Sequence, residues 1–280
     1  MKKFKKVVII GPGLIGGSIG LFLKKEKAAE VIVGVARHQK TLKKAKQKKM
    51  VDATSKDLIN SVRGADLIII ATPVQSVPRI FQLIKNNLQP GCIIFDVGST
   101  KKYILKAADK YLPRDIFFIG THPMAGSEKA GPEFADRNLF RNSICFIVKP
   151  KKVNKKALIF VQSLWKKMGA KVILVKAEKH DQIVAGISHL PHLVSVAIVN
   201  SSDTASLKFA ATGYKDTTRV VAGLPEIWEG IFFTNKNSIL KSIMVFEKEL
   251  FKLKKALKNS DKKFFTQQLT AAKKTRDKLK

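Results

Sequence analysis

The apolar and polar positions divide the chain into two halves. In the first, short β-branched runs alternate with stretches whose apolar residues recur every three or four positions. Val7-Val8-Ile9-Ile10 opens the series as a buried strand, and Leu14 to Lys25 reads as the helix that follows. Val31 to Val35 is the second strand, with a lysine-rich helix from about Gln39 to Lys49 after it. Asp66 to Ala71, Cys92 to Asp96 and Ile116 to Gly120 are further buried strands, separated by helices near Ser76 to Asn87 and Lys101 to Tyr111. Ser143 to Val148, a helix from Lys155 to Met168, and Lys171 to Val175 extend the pattern. Strands that are apolar along both faces and separated by helices predict a mostly parallel sheet covered on both sides, here an α/β domain over residues 1–177.

After about Ala177 the strand pattern stops, and an all-α domain over residues 178–280 is expected. His180 to Ser201 reads as one long helix interrupted or bent at Pro191, Tyr214 to Trp228 as a loop, and most of the remainder as helix. Ile239, Ile243, Phe246, Leu250, Leu253 and Leu257 recur at helical spacing, which suits a core seam or a subunit interface equally. No apolar run approaches the ~20 residues of a membrane span. Gly11 and Pro12 interrupt the apolar stretch behind the basic start, so no secretory signal is expected.

Composition changes this picture little. With 280 residues, 45% of them hydrophobic, the chain can bury one large core or two smaller ones. Cys92 and Cys145 fall in predicted buried strands and read as small core residues, which fits a reducing, cytoplasmic location. The formal net charge of +32 is the odd feature. A nucleic-acid binder would explain it, but the lysines are spread over nearly every predicted helix, and no basic patch is interleaved with aromatics. Solvated helix faces are the expected reading, with no nucleic-acid partner; a positive surface also draws anionic substrates.

The first chemistry-bearing motif is Gly11-Pro12-Gly13-Leu14-Ile15-Gly16, between the opening strand and its helix. In that context Gly11 permits a tight turn, Gly13 lets backbone approach a pyrophosphate, and Gly16 lets helix and strand pack closely. Gly11, Gly13, Leu14, Ile15 and Gly16 are therefore expected to hold a dinucleotide at the helix N-terminus, which makes the domain Rossmann-type. NAD enzymes of this fold usually carry a carboxylate at the end of the second strand, on the ribose 2′-hydroxyl. Here that strand ends Gly34-Val35-Ala36-Arg37-His38. Arg37, helped by His38 and Lys40, suits a 2′-phosphate, so NADP is favoured over NAD.

Three further stretches gather polar residues where such sheets bind ligands. They are Asp96-Val97-Gly98-Ser99-Thr100-Lys101, Thr121-His122-Pro123-Met124-Ala125-Gly126-Ser127-Glu128, and Ser188-His189-Leu190-Pro191-His192, the last followed by Tyr214-Lys215-Asp216-Thr217-Thr218-Arg219. With the glycine turn and Pro225-Glu226-Ile227-Trp228, this ordered set resembles the prephenate/arogenate dehydrogenase family of tyrosine biosynthesis, over nearly the whole chain. The resemblance implies a Rossmann domain followed by a helical domain that forms a homodimer, with the active site in the cleft between them.

The resemblance also assigns roles. His122 matches the family's catalytic base, and a histidine suits proton removal near neutral pH. Ser99 matches the serine that hydrogen-bonds this histidine and the substrate hydroxyl. Arg219 matches an arginine that grips a substrate carboxylate. His189 matches a histidine on the substrate side of the cleft, as carboxylate ligand or as pocket wall. His192 is expected to join it in binding substrate or to pack one helical face away. Thr72 and Pro73 are expected beneath the nicotinamide ribose. No metal is implied. The reaction expected is oxidative decarboxylation of prephenate, with arogenate as the alternative substrate; the motifs leave that choice open. The chain leaves no room for a mutase or regulatory domain, so feedback through such a domain is not expected. A dinucleotide-binding sensor without catalysis is the reading from another class, and it predicts an expendable His122.

Overall fold

Val7 and Ile9 belong to one buried apolar layer, and Val8 and Ile10 to the other. Such alternation requires a strand covered above and below. The structure, a computed structural model, describes residues 3–126, 131–150 and 153–279. It divides into two compact units, one ending at Lys236 and one from Asn237 onward.

In the first unit, β1 (Phe4–Ile10) leads through α1 (Leu14–Lys25) to β2 (Ala29–Val35), α2 (Gln39–Gln47), β3 (Ala53–Ser55) and α3 (Leu58–Val62). The chain then crosses to the other side of β1 as β4 (Leu67–Ile70), α4 (Val77–Ile84), β5 (Ile93–Asp96), α5 (Lys102–Tyr111) and β6 (Phe117–Pro123). It ends the sheet with β7 (Ile144–Val148), α6 (Lys155–Lys167) and β8 (Lys171–Leu174). The eight strands lie in the order β3-β2-β1-β4-β5-β6-β7-β8, and only the β6–β7 pair is antiparallel. The expected mostly parallel sheet is present. One face is filled by Ile9, Phe95, Ile119 and Trp165, the other by Ile70, Phe81, Ile94 and Phe118. Cys92 and Cys145 are buried free thiols; burial pushes both up, Cys92 to about 12, so neither ionises near neutrality.

Three stretches differ from the sequence reading. β3 and α3 were not expected, because Ala53-Thr54-Ser55 is short and polar and α3 is barely a turn and a half. The segment expected as a loop from Tyr214 to Trp228 is largely helical: α9 (Thr212–Thr218), a 3₁₀ turn at Arg219–Ala222, and α10 (Pro225–Thr234). The long helix is α7 (Ala177–Val184) and α8 (Leu190–Ser201) joined by a π turn at Ala185–His189. Pro191 has no N–H to give the preceding turn, and the wider π turn just before it absorbs the mismatch.

Joined in this way, Ala177–Ser201 is a 25-residue helix that contains an 18-residue window of mean hydropathy 1.6, long and apolar enough by length and composition to cross a membrane. The expectation counted unbroken apolar residues and did not consider such a window, which polar residues interrupt. Ahead of its most apolar part, Asp181 and His180 are both buried and bonded to the sheet domain. Such bonds, with Gln75 Nε2 donating to the Glu226 carbonyl at 2.9 Å, explain why the compact unit runs to Lys236 although the strand pattern stops near Ala177.

The second unit is built from α11 (Lys236–Lys258), most of which lies in it, and α12 (Lys262–Arg276). Asp261 caps α12 by accepting from the Phe264 N–H at 3.0 Å. Along α11, Ile239 and Ala256 are buried, while Met244, Leu250, Phe251 and Leu257 are exposed.

Candidate active site

The strand order reverses between β1 and β4, and at such a switch point the loops beyond the strand ends part to leave a crevice. Gly11 follows β1 at φ +90°, where its N–H donates to the Val35 carbonyl at 2.8 Å. A Cβ there would come within 2.6 Å of the Ala71 carbonyl oxygen, and one at Gly16 would run into the Gly11 carbonyl. Gly13 differs: nothing lies within 4 Å of the Cβ it lacks. No side chain caps α1, which starts at Leu14 with its first-turn N–H groups aimed past Gly13. A tight turn, an open approach and an uncapped helix N-terminus fit a pyrophosphate.

A cavity of about 600 Å³ opens beside this turn. Gly13, Leu14 and Ile15 line one part of it, and Thr72 and Pro73 close the end of β4 beside them. Ser99, His122, His189 and Arg219 line the same cavity, so residues from four separate stretches of sequence converge. Arg37 does not reach it; the side chain is exposed just beyond β2, beside the start of α2. His192 does not line it either. Its ring lies flat on Trp228, with centroids 3.5 Å apart and planes at 17°, and Trp228 is the one that meets the cavity. Ser127 and Glu128 of the second polar stretch lie outside the described residues.

His122 reaches the cavity because β6 outruns β5. Phe117 to Gly120 pair in parallel with β5, and Gly120 to Pro123 then pair antiparallel with β7, carrying His122 beyond the last residue of β5. Below it, the buried Lys101 ammonium pairs with the buried Asp96 carboxylate, which also accepts from the Gly98 and Thr121 N–H groups at 2.8 and 3.2 Å. That pair pins the Ser99 loop to β6.

The Nδ1 of His122 lies 2.9 Å from Nε2 of His180, and Nδ1 of His180 lies 2.8 Å from Oδ1 of Asp181. Asp181 also accepts from the Lys101 and Lys102 N–H groups at the start of α5, at 2.8 and 3.0 Å. An ionised carboxylate only accepts, so His180 donates from Nδ1 and offers the Nε2 lone pair. His122 then donates from Nδ1, which leaves its own Nε2 as a lone-pair acceptor. Burial, the neighbouring His180 and the Lys101 ammonium hold His122 well below the usual histidine range. Ser99 makes no hydrogen bond to His122; the expected partner role on the ring falls to His180.

His180, Asp181 and Asn235 are the functional candidates that the sequence reading missed. His180-Asp181 looks like an ordinary helix start, and Asn235 follows an apolar helix without any motif around it.

Residues 19–174 match the family model described as prephenate dehydrogenase, nucleotide-binding domain, and residues 176–271 match prephenate dehydrogenase, dimerization domain. A prephenate dehydrogenase of Bacillus subtilis is 32% identical over all of this chain and 77% of its own length. The prephenate dehydrogenase of A. aeolicus, solved with hydroxyphenyl propionate and NAD+, superposes with a TM-score of 0.92 at 28% identity, over 99% of this chain and 98% of that one. Synechocystis arogenate dehydrogenase superposes at 0.82 with 30% identity, over 98% and 100%. By sequence and fold, the chain belongs to the prephenate dehydrogenase family of NAD(P)-dependent enzymes.

Proposed function

We propose that this protein oxidatively decarboxylates prephenate to 4-hydroxyphenylpyruvate in tyrosine biosynthesis, with His122 as the base. The observation that carries the reading is one cavity lined by the glycine turn, His122 and Arg219, with the Nε2 lone pair of His122 left for a substrate proton. Gly11, Gly13, Leu14, Ile15 and Gly16 would hold the dinucleotide pyrophosphate, and Thr72 and Pro73 would support its ribose. When bound, the nicotinamide supplies the hydride acceptor.

The residues of this chain do the rest. His122 Nε2 takes the proton of the ring hydroxyl as the carbinol carbon is oxidised. Ser99, from the neighbouring loop, donates to or accepts from the same hydroxyl and holds it in line. The Arg219 guanidinium grips a substrate carboxylate. Release of CO₂ is driven by aromatisation, so the protein needs no separate group to stabilise a carbanion. His189 contributes directly to the substrate side, and His192 acts there by backing Trp228.

NADP is the proposed cofactor over NAD, because Arg37 stands where strand two would otherwise place a carboxylate. The protein is proposed to work as a cytoplasmic homodimer. Its helical substrate and dimerisation domain would span residues 178–280, and the exposed apolar residues of α11 would face the partner. Neither nucleic acid nor membrane is needed as a partner.

The test offers prephenate or arogenate with NADP or NAD and follows reduced nicotinamide. The expected result is the highest rate with prephenate and NADP, and an Arg37→Ala variant that loses more affinity for NADP than for NAD. A rate only with arogenate would move the reaction to the amino-acid substrate. Equal losses for both cofactors would overturn the 2′-phosphate role of Arg37. No rate with any pairing from folded protein would favour a sensor.

A further inference from the structure

His189 is 1% exposed and lines the cavity, yet its Nε2 has no hydrogen-bond partner among the described residues. Buried polar groups left in that state are costly, so they are rare unless something else meets them. The other ring nitrogen is engaged: Nδ1 lies 3.2 Å from Nδ2 of Asn235.

Asn235 is itself buried, and Nδ2 also donates to the Asp181 carbonyl at 2.7 Å. That carbonyl only accepts, so the amide cannot be turned to place its oxygen there; the NH₂ must face it. The same NH₂ has a second hydrogen, and His189 Nδ1 stands in its path. Nδ1 must then be the acceptor, and the ring proton must sit on Nε2. Burial holds His189 low, at about 4, so the ring does not gain a second proton near neutrality. His189 is the last residue of the π turn at Ala185–His189.

We infer that Asn235 fixes the ring tautomer of His189 so that Nε2–H is presented to an oxygen acceptor of the substrate. The inference rests on the proposed prephenate reaction for the identity of that substrate, but not for the tautomer. Asn235 acts through His189 and is a positioning residue. The acceptor is a carboxylate or keto oxygen; an ammonium group, which can only donate, is rejected at that point.

The test begins with long-range ¹⁵N–¹H spectra of the histidine-labelled protein, with His189 assigned by its loss in His189→Gln. The expected spectrum has a protonated Nε2 and a bare Nδ1; a protonated Nδ1 overturns the inference. Asn235→Asp replaces the donor with an acceptor, so it should reverse the tautomer and raise the KM for prephenate roughly 10–100-fold, with kcat changed far less. An unchanged KM would overturn the role. Should Asn235→Asp fail to fold, His189→Gln, which keeps an N–H near the Nε2 position, should retain a lower KM than His189→Leu; equal KM values would count against the inference. A KM rise confined to prephenate identifies the keto oxygen as the acceptor, and an equal rise with arogenate identifies a carboxylate. If the wild-type protein turns over neither substrate, the functional reading falls and the wild-type spectrum still decides the tautomer.

Discussion

Asp181 accepts hydrogen bonds and cannot donate them, and this constraint passes through His180 to decide which nitrogen of His122 faces the cavity. The same histidines make the fold sensitive to acid. His122, His180 and His189 are buried, and burial lowers all three, His189 to about 4. In the unfolded chain each titrates near 6.5. Between those values the unfolded state binds protons that the folded state refuses, so the stability present above about pH 6.5 is lost as pH falls toward the folded values. Each such histidine removes up to about 1.4 kcal/mol per pH unit in that window. The thermal midpoint should be flat above pH 7 and fall steeply between pH 6.5 and 5; a midpoint unchanged across that interval would mean that these rings are not held neutral. His122, His189 and Arg219 were legible from the motifs around them. His180 and Asn235 were not, because their bonds join residues 58, 54 and 46 positions apart, and no local pattern marks either end.

At the scale of elements, the parallel sheet was plain in the sequence because fully buried strands leave long β-branched runs. What the runs did not reveal was the continuation of β6 through Thr121-His122-Pro123, since its cause is pairing with β7. The π turn was equally hidden; Pro191 announced a disturbance, but its form depends on how Val184 and Ala185 pack into the core. The glycine turn between β1 and α1 invites a direct comparison. Gly16→Ala places a methyl against the Gly11 carbonyl and should lower the thermal midpoint by several degrees, with dinucleotide binding impaired as a consequence. Gly13→Ala meets no protein atom within 4 Å, so the midpoint should hold while dinucleotide affinity falls. Calorimetry with and without dinucleotide separates the two. Equal affinity in Gly13→Ala and wild type would remove the pyrophosphate from this turn.

For the whole molecule, a net charge of +32 is the most conspicuous number and the least informative about the site. Lys101 is the one fully buried lysine among the described residues, and it is held by Asp96. The site instead depends on a first unit in which α7 and α10 pack against the sheet domain, so that residues from Gly13 to Ile231 line one cavity. The central claim is that His122 removes the substrate proton within that cavity. It is tested most directly by measuring turnover and dinucleotide affinity together in His122→Asn. Turnover should be lower by roughly 10²–10⁴-fold, the usual contribution of a general base, with dinucleotide affinity unchanged. Wild-type turnover in that variant would contradict it.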